Sequence, residues 1–253
     1  MTGLAGQLAL VTGGTSGIGL AIAAQLAAAG MRVAVLSDAP QQELESAVAE
    51  GRLVAAIRTD ISDAAAVTTA VAAIEAAHGP ITRLVNNAAI WMPNPVPESP
   101  IALFDRHIDV NLKGSFYVTQ AVIPGMIAAG GGSIVFVGSV SGIAGRAGDS
   151  AYSASKAGVA MLSRTLAAEL GPKNIRINCV CPGAVATPLT AGLRTADGEQ
   201  AIAALMVGHP SPRRAFFMEP EQIANIVCFL LDDRSNALHG AVITADEGLT
   251  ATM

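Results

Sequence analysis

Charge is scarce in this chain. Asp, Glu, Lys and Arg make up 14% of 253 residues, and the formal net charge is −5. No basic run or stripe interrupts that balance, which argues against a nucleic-acid partner, because neutralising phosphates takes clustered cations. Aromatic residues are scarcer still at 4%, with one tryptophan and two tyrosines. The three cysteines are Cys179, Cys181 and Cys228. An odd count with no histidine cluster beside it supports neither a disulfide framework nor a zinc site. They read as small buried hydrophobes, and no metal is expected. Long apolar runs are missing as well, although 51% of the residues are apolar. Gln25 cuts the run from Leu20 to Gly30 and Glu75 cuts the run from Val67 to His78, short of the roughly 18–20 residues a membrane span needs. The opening residues Met1 to Gln7 lack the charged and apolar regions of a secretory signal, so the chain is expected to be cytoplasmic.

What the sequence does contain is alternation. β-branched runs at 7–12, 32–37, 53–59, 81–86, 133–138, 174–180 and 240–245 predict strands. Helical patterns fall between them, near 17–29, 40–50, 63–77, 99–128, 151–170 and 220–231. Asp63 and Ser99 are placed to cap helix starts, and Gly30, Gly79 and Gly171 to end helices. Strand–helix alternation predicts an α/β fold, a doubly wound parallel sheet with helices on both faces and right-handed crossovers. One domain over 1–253 is expected. Two segments break the rhythm. Residues 91–100 carry four prolines and read as a loop. Residues 187–219 form a long irregular excursion with a short helical patch near 199–207, the length of a lid or binding loop.

The first strand runs into Thr12-Gly13-Gly14-Thr15-Ser16-Gly17-Ile18-Gly19 and then a helix. Glycines there allow a tight turn and close approach of backbone to a pyrophosphate, and the helix start offers free N–H groups and a positive dipole end. The spacing is G-x-x-x-G-x-G, not the G-x-G-x-x-G of other dinucleotide turns. Farther on, Tyr152 and Lys156 lie at i and i+4, on one helix face. A phenol is too weak an acid to serve as a base at neutral pH, and a neighbouring ammonium is expected to lower its pKa. Tyr152 can then exchange a proton with an alcohol or carbonyl oxygen.

With this turn, Asn86-Asn87-Ala88-Ala89, Asn111 within V-N-L, Ser139, Tyr152-x-x-x-Lys156, and Pro182-Gly183 followed by Thr187, the chain resembles the short-chain dehydrogenase/reductase family in its branch of about 250 residues. The motifs occur in family order from residue 8 to about 190, and the final third fits more loosely. The resemblance implies a Rossmann-type sheet in the order 3-2-1-4-5-6-7 and an NAD(P)-dependent secondary-alcohol dehydrogenase or ketone reductase. It selects Ser139 over Ser141 as the residue orienting the substrate oxygen. It gives Lys156 a hydrogen bond to the nicotinamide ribose, and Asn111 a water linking Lys156 to solvent. Gly13, Thr15, Ser16, Gly17, Ile18 and Gly19 would hold the pyrophosphate end. Ser37 and Asp38 would meet the adenosine ribose, and Asp60 and Ile61 the adenine. Asn87 and Ala88 would lie behind the cofactor, and Pro182, Gly183, Val185 and Thr187 around the nicotinamide.

Asp38 favours NAD, since its charge would repel a 2′-phosphate, while Arg58 on the third strand leaves NADP open. Trp91, Met92, Val140, Ile143, Ala144, Val185, Leu189 and Met206 are candidate walls for an apolar substrate. His209, Arg213 and Arg214 are candidates for an anionic one. Two other readings of the same residues stay open: a cofactor-dependent isomerase or dehydratase, and a cofactor-bound regulatory protein. Assembly into a homotetramer, or failing that a dimer, is expected through 99–128, 151–170 and the C-terminal tail. The family's terminal D-G-G stands here as Asp246-Glu247-Gly248.

Overall fold

A computed structural model of the chain describes residues 4–195 and 217–251. Seven strands form one parallel sheet: β1 (Leu8–Thr12), β2 (Arg32–Ser37), β3 (Ala55–Arg58), β4 (Ile81–Asn86), β5 (Gly132–Val137), β6 (Ile175–Pro182) and β7 (Val242–Ala245). Their order is β3-β2-β1-β4-β5-β6-β7, as the resemblance implies. Every residue of β1 is buried, as befits a strand covered on both faces. Alternate side chains feed two cores. Ala9, Val11, Val35, Val85 and Val135 face one side. Leu10, Leu36, Leu84, Ile134 and Phe136 face the other.

The first core is covered by α1 (Gly17–Ala28) and the helix Pro220–Leu231, here α7, whose Ile22, Leu26, Ile223, Val227 and Leu230 are all fully buried. The second lies under α3 (Ala64–His78), α5 (Ser115–Ala128) and α6 (Ser150–Leu170). Helix α2 (Gln41–Ala49) flanks β3. Asp63 caps α3 as expected, its carboxylate accepting from the Ala65 and Ala66 N–H groups. Among the described residues no helix is long and apolar enough to cross a membrane.

The structure departs from the sequence reading in several places. The expected single helix over 99–128 is three pieces: α4 (Ile101–His107), a π-helical stretch at Ile108–Gly114, and α5. Ser99 does not cap it; Pro100 precedes the first turn and Ser99 closes a 3-10 turn at Val96–Glu98. Gly171 does not end α6 alone, because a 3-10 turn at Gly171–Lys173 follows and Asn174 makes the left-handed stop. Most of the 187–219 excursion, with Met206, His209, Arg213, Arg214 and the patch near 199–207, lies outside the described residues. Its described start is a 3-10 helix at Pro188–Arg194, begun by a reciprocal cap between Thr187 and Thr190.

In the two segments expected to carry the assembly, Phe116 and Met161 are exposed, whereas Val118, Val159 and Leu166 are core. In the terminal motif, Glu247 sits at φ +54, a left-handed conformation that a glycine would adopt without steric cost. The Gln222 side chain donates to its carboxylate at 3.3 Å.

Candidate functional site

The carboxyl ends of parallel strands are where side chains and loops converge on a ligand. A cavity of about 380 Å³ opens there, within the usual range for cofactor and substrate sites. The sheet brings to it nearly all the residues singled out in sequence. Gly13, Thr15, Ser16, Gly17 and Ile18 line it from the turn after β1, and Ser37 and Asp38 from the end of β2. Asp60, Ile61, Asn87 and Ala88 follow from β3 and β4, and Pro182, Gly183, Val185 and Thr187 from β6 onward. Ser139, Tyr152 and Lys156 complete it. Gly19 and Asn111 do not line the cavity; both act from behind it.

Gly13, at φ +64, lies against the Ala88 backbone and the Asn87 amide, so β1 and β4 meet at the turn. Thr12 clamps them: its hydroxyl accepts from the Asn87 and Ala88 N–H groups, each at 3.0 Å. The Asn87 amide in turn donates to the Thr12 carbonyl at 3.0 Å. Helix α1 then starts without a side-chain cap on its first N–H groups. That uncapped start beside the cavity is what an anionic pyrophosphate requires, so the turn fits a dinucleotide. Thr15 and Ser37 share a hydrogen bond of 2.9 Å, joining the turn to the end of β2.

At the β3 end of the cavity, Asp60 accepts from the Ser62 N–H and hydroxyl at 2.9 and 2.7 Å. Arg106 of α4 spans both residues, at 3.1 Å from Asp60 and 2.9 Å from the Ser62 hydroxyl. Arg106 also lines the cavity, and nothing in its sequence position announced it.

At the other end, the Ser139 hydroxyl accepts from the Ser141 N–H at 3.1 Å and lies beside Tyr152 on the cavity wall. Lys156 is 3% exposed, and its ammonium donates to the Val137 carbonyl at 2.8 Å. Burial lowers its pKa to about 8. Tyr152 departs from the sequence expectation. Burial pushes its phenol up to about 12, the neighbouring Ser139 hydroxyl pulling the other way. Lys156 lies 5.8 Å from the ring centroid and is turned toward β5, so it does not offset the cost of a buried phenolate.

Asn111 is fully buried in the π-helical stretch. Its side-chain oxygen accepts from the Ile90 N–H at 2.8 Å, and its amide donates to the Ile90 carbonyl and the Ser155 hydroxyl, each at 3.0 Å. Its backbone carbonyl accepts from Ser115 at 2.8 Å. These contacts tie the end of β4 to α6 next to Lys156, and none reaches Lys156 itself.

His107 escaped the sequence reading. Its Nε2 accepts from the Met92 N–H at 3.2 Å, which places the ring proton on Nδ1, facing the Leu103 carbonyl at 2.8 Å. The ring meets Tyr152 edge-on at 6.3 Å between centroids. Of the expected apolar wall, Val185 and Leu189 line the cavity; Trp91, Met92, Val140, Ile143 and Ala144 do not. The cysteines are free and buried, with 3.8 Å between the Cys179 and Cys181 sulfurs, and no cluster suited to a metal occurs among the described residues.

Comparison with known proteins agrees with this arrangement. A family model described as short chain dehydrogenase matches residues 7–198. The 3-oxoacyl-acyl-carrier-protein reductase of Thermotoga maritima is 38% identical over 250 residues, covering 97% of this chain and 98% of that protein. Trans-4-hydroxycyclohexanecarboxylate dehydrogenase of Sinomonas cyclohexanicum is 37% identical over 257 residues, covering 98% and 94%. The crystal structure of levodione reductase superimposes with a TM-score of 0.87 at 32% identity, covering 98% of each chain. The chain belongs to the short-chain dehydrogenase family and is an NAD(P)-dependent oxidoreductase of alcohols and ketones.

Proposed function

We propose that this protein interconverts a secondary alcohol and a ketone, with Tyr152 as the proton-transfer residue and NAD as the preferred cofactor. The observation that carries the reading is that Tyr152, Ser139 and Lys156 line the same cavity as the uncapped glycine turn. The nicotinamide, when bound, supplies or accepts the hydride. Ser139 orients the substrate oxygen, and the Tyr152 hydroxyl donates its proton to that oxygen in reduction or accepts one back in oxidation. Lys156 holds a positive charge one helical turn away. The reading is tested by following nicotinamide absorbance with a panel of ketones and alcohols. The name of the Sinomonas relative makes an alicyclic alcohol a sensible first choice. Absence of any turnover across the panel would favour the regulatory alternative.

The ionisation of the pair sets the pH dependence. With its pKa pushed up to about 12, Tyr152 carries its proton across neutral pH, the form reduction needs. Lys156, lowered to about 8, is an ammonium below that pH and loses its charge above it. Ketone reduction should therefore hold its kcat/KM up to about pH 8 and fall beyond it, whereas alcohol oxidation, which needs the phenolate, should rise from neutrality. Reduction that climbs steadily with pH, measured between about pH 6 and pH 10, would refute this assignment.

The NAD preference rests on Asp38, which is exposed and lines the cavity at the end of β2. Its charge disfavours a 2′-phosphate at the ribose. Arg58, the β3 residue in register with Ser37, does not line the cavity. Wild-type protein should show the higher kcat/KM with NAD, and Asp38→Ala should narrow the ratio by about tenfold or more, the scale of a lost charge repulsion. A wild-type preference for NADP would overturn this assignment and point to Arg58.

A further inference from the structure

Between Ser139 and Tyr152 the chain makes a loop that carries one cation, Arg146. Its guanidinium carbon lies 5.6 Å from the centroid of the Trp91 ring. Trp91 follows Ile90, a cavity residue, and is fixed by a 2.8 Å hydrogen bond from its indole N–H to the Asp149 carboxylate. Asp149 is 2% exposed, and its other oxygen has no hydrogen-bond partner. That oxygen faces the Nε edge of Arg146 at 3.7 Å, an ion pair too long for a hydrogen bond. Indole and carboxylate thus hold the guanidinium in place from two sides.

The two terminal nitrogens of Arg146 remain. Among the described residues they donate no hydrogen bond, and the side chain is 35% exposed. In Arg83, Arg106, Arg176 and Arg194, by contrast, terminal nitrogens are engaged by carbonyl, hydroxyl or carboxylate oxygens. A planar fork of free donors, already immobilised on an aromatic face, matches a carboxylate in two-point contact. The group stands at the rim of the cavity and not in its lining: Trp91 adjoins Ile90, and Asp149 precedes α6 three residues before Tyr152, its carbonyl accepting from the Ser153 N–H at 2.7 Å.

We propose that Arg146 recognises a carboxylate on the substrate, remote from the carbon that gains or loses hydride. This rests on the alcohol–ketone reading of Tyr152 and names the substrate class: a hydroxy or oxo acid whose acid group reaches Arg146 while its oxygen meets Tyr152 and Ser139. Trp91 backs the guanidinium from outside the cavity lining, and Asp149 keeps both residues in register. Arg146 is a specificity-determining residue; the proton-transfer set does not need it.

Calorimetric titration of the NADH-loaded protein with cyclohexanecarboxylate and with cyclohexanecarboxamide tests this without relying on turnover. The carboxylate should bind at least about tenfold more tightly, and Arg146→Gln should remove most of that preference, as expected for a charge-assisted two-point contact. A purely structural Arg146 would weaken both ligands in equal proportion, which would overturn the proposal, as would equal affinities in the wild type. Kinetics with the matching 4-oxo acid and 4-oxo amide separate the two readings. A binding preference without turnover of either ketone leaves Arg146 as the carboxylate site and counts against the oxidoreductase assignment at Tyr152. Turnover of both with no preference does the reverse.

Discussion

Tyr152→Phe should lower kcat by about 10²–10⁴-fold, the contribution of a positioned general acid or base. The substitution removes one oxygen. The ring and its edge-on contact with His107 remain, as does the face presented toward Lys156. The loss should therefore appear in kcat and kcat/KM together, with cofactor affinity nearly unchanged, as for a group acting in the transition state. Stability should change little: the contact with the Ser139 hydroxyl is lost, but so is the cost of burying the phenol oxygen, leaving a net effect of about 1 kcal/mol or less. Steady-state turnover within tenfold of wild type, on a verified substrate, would remove Tyr152 from the reaction.

Gly19→Ala should be the most damaging small substitution in the cofactor turn. A methyl group there would stand 2.1 Å from the Gly13 carbonyl oxygen and 2.5 Å from the Asn87 amide nitrogen. Neither neighbour can yield cheaply. The first is backbone, and the second is held by donating to the Thr12 and Gly13 carbonyls at 3.0 and 3.3 Å. Either α1 moves away from β1 or the turn opens. Overpacking of this kind costs about 1–3 kcal/mol, and for a chain of this length each kcal/mol lowers Tm by about 2–4 °C. The expected result is a Tm several degrees lower, with NADH affinity reduced more than tenfold because the same displacement moves the first N–H groups of α1. Thermal unfolding and a fluorescence titration with NADH check both parts. Wild-type behaviour in both would mean that the turn tolerates a shift the packing forbids.

How legible these features were depends on how local their causes are. The glycine turn could be read because strand, turn and helix start are contiguous, and each glycine answers a local steric demand. Tyr152 and Lys156 could be paired because helical spacing puts them on one face. The π-helical stretch could not be read. Asn111 is a poor helix former, but the break at 108–114 is accompanied by its bonds to Ile90 and Ser155, residues distant in sequence. Nor could the alignment of Trp91 with Asp149, 58 positions apart, or the two-sided hold on His107, which joins Leu103 to Met92. The behaviour of the phenol is out of reach for a related reason: i,i+4 spacing places an ammonium near Tyr152, whereas burial and the competing Val137 carbonyl are properties of the assembled sheet.

The order of the strands has a consequence for how the chain is made. β1 is made before both of its neighbours, β2 and β4, so one of its edges waits until residue 86 has been added. α1 waits far longer. The helix that covers it is α7, with Gln25 hydrogen-bonded to Asn225, 200 positions later. Until α7 is added, the turn meant for the cofactor is therefore attached to a helix that has the sheet on one side but lacks its helical partner on the other. A nascent chain in that state leaves the α7-facing side of α1 open to whatever is nearby, including other nascent chains. The addition of α7 then does two things at once: it covers that side of α1, and it fixes the helix start on which a dinucleotide would rest.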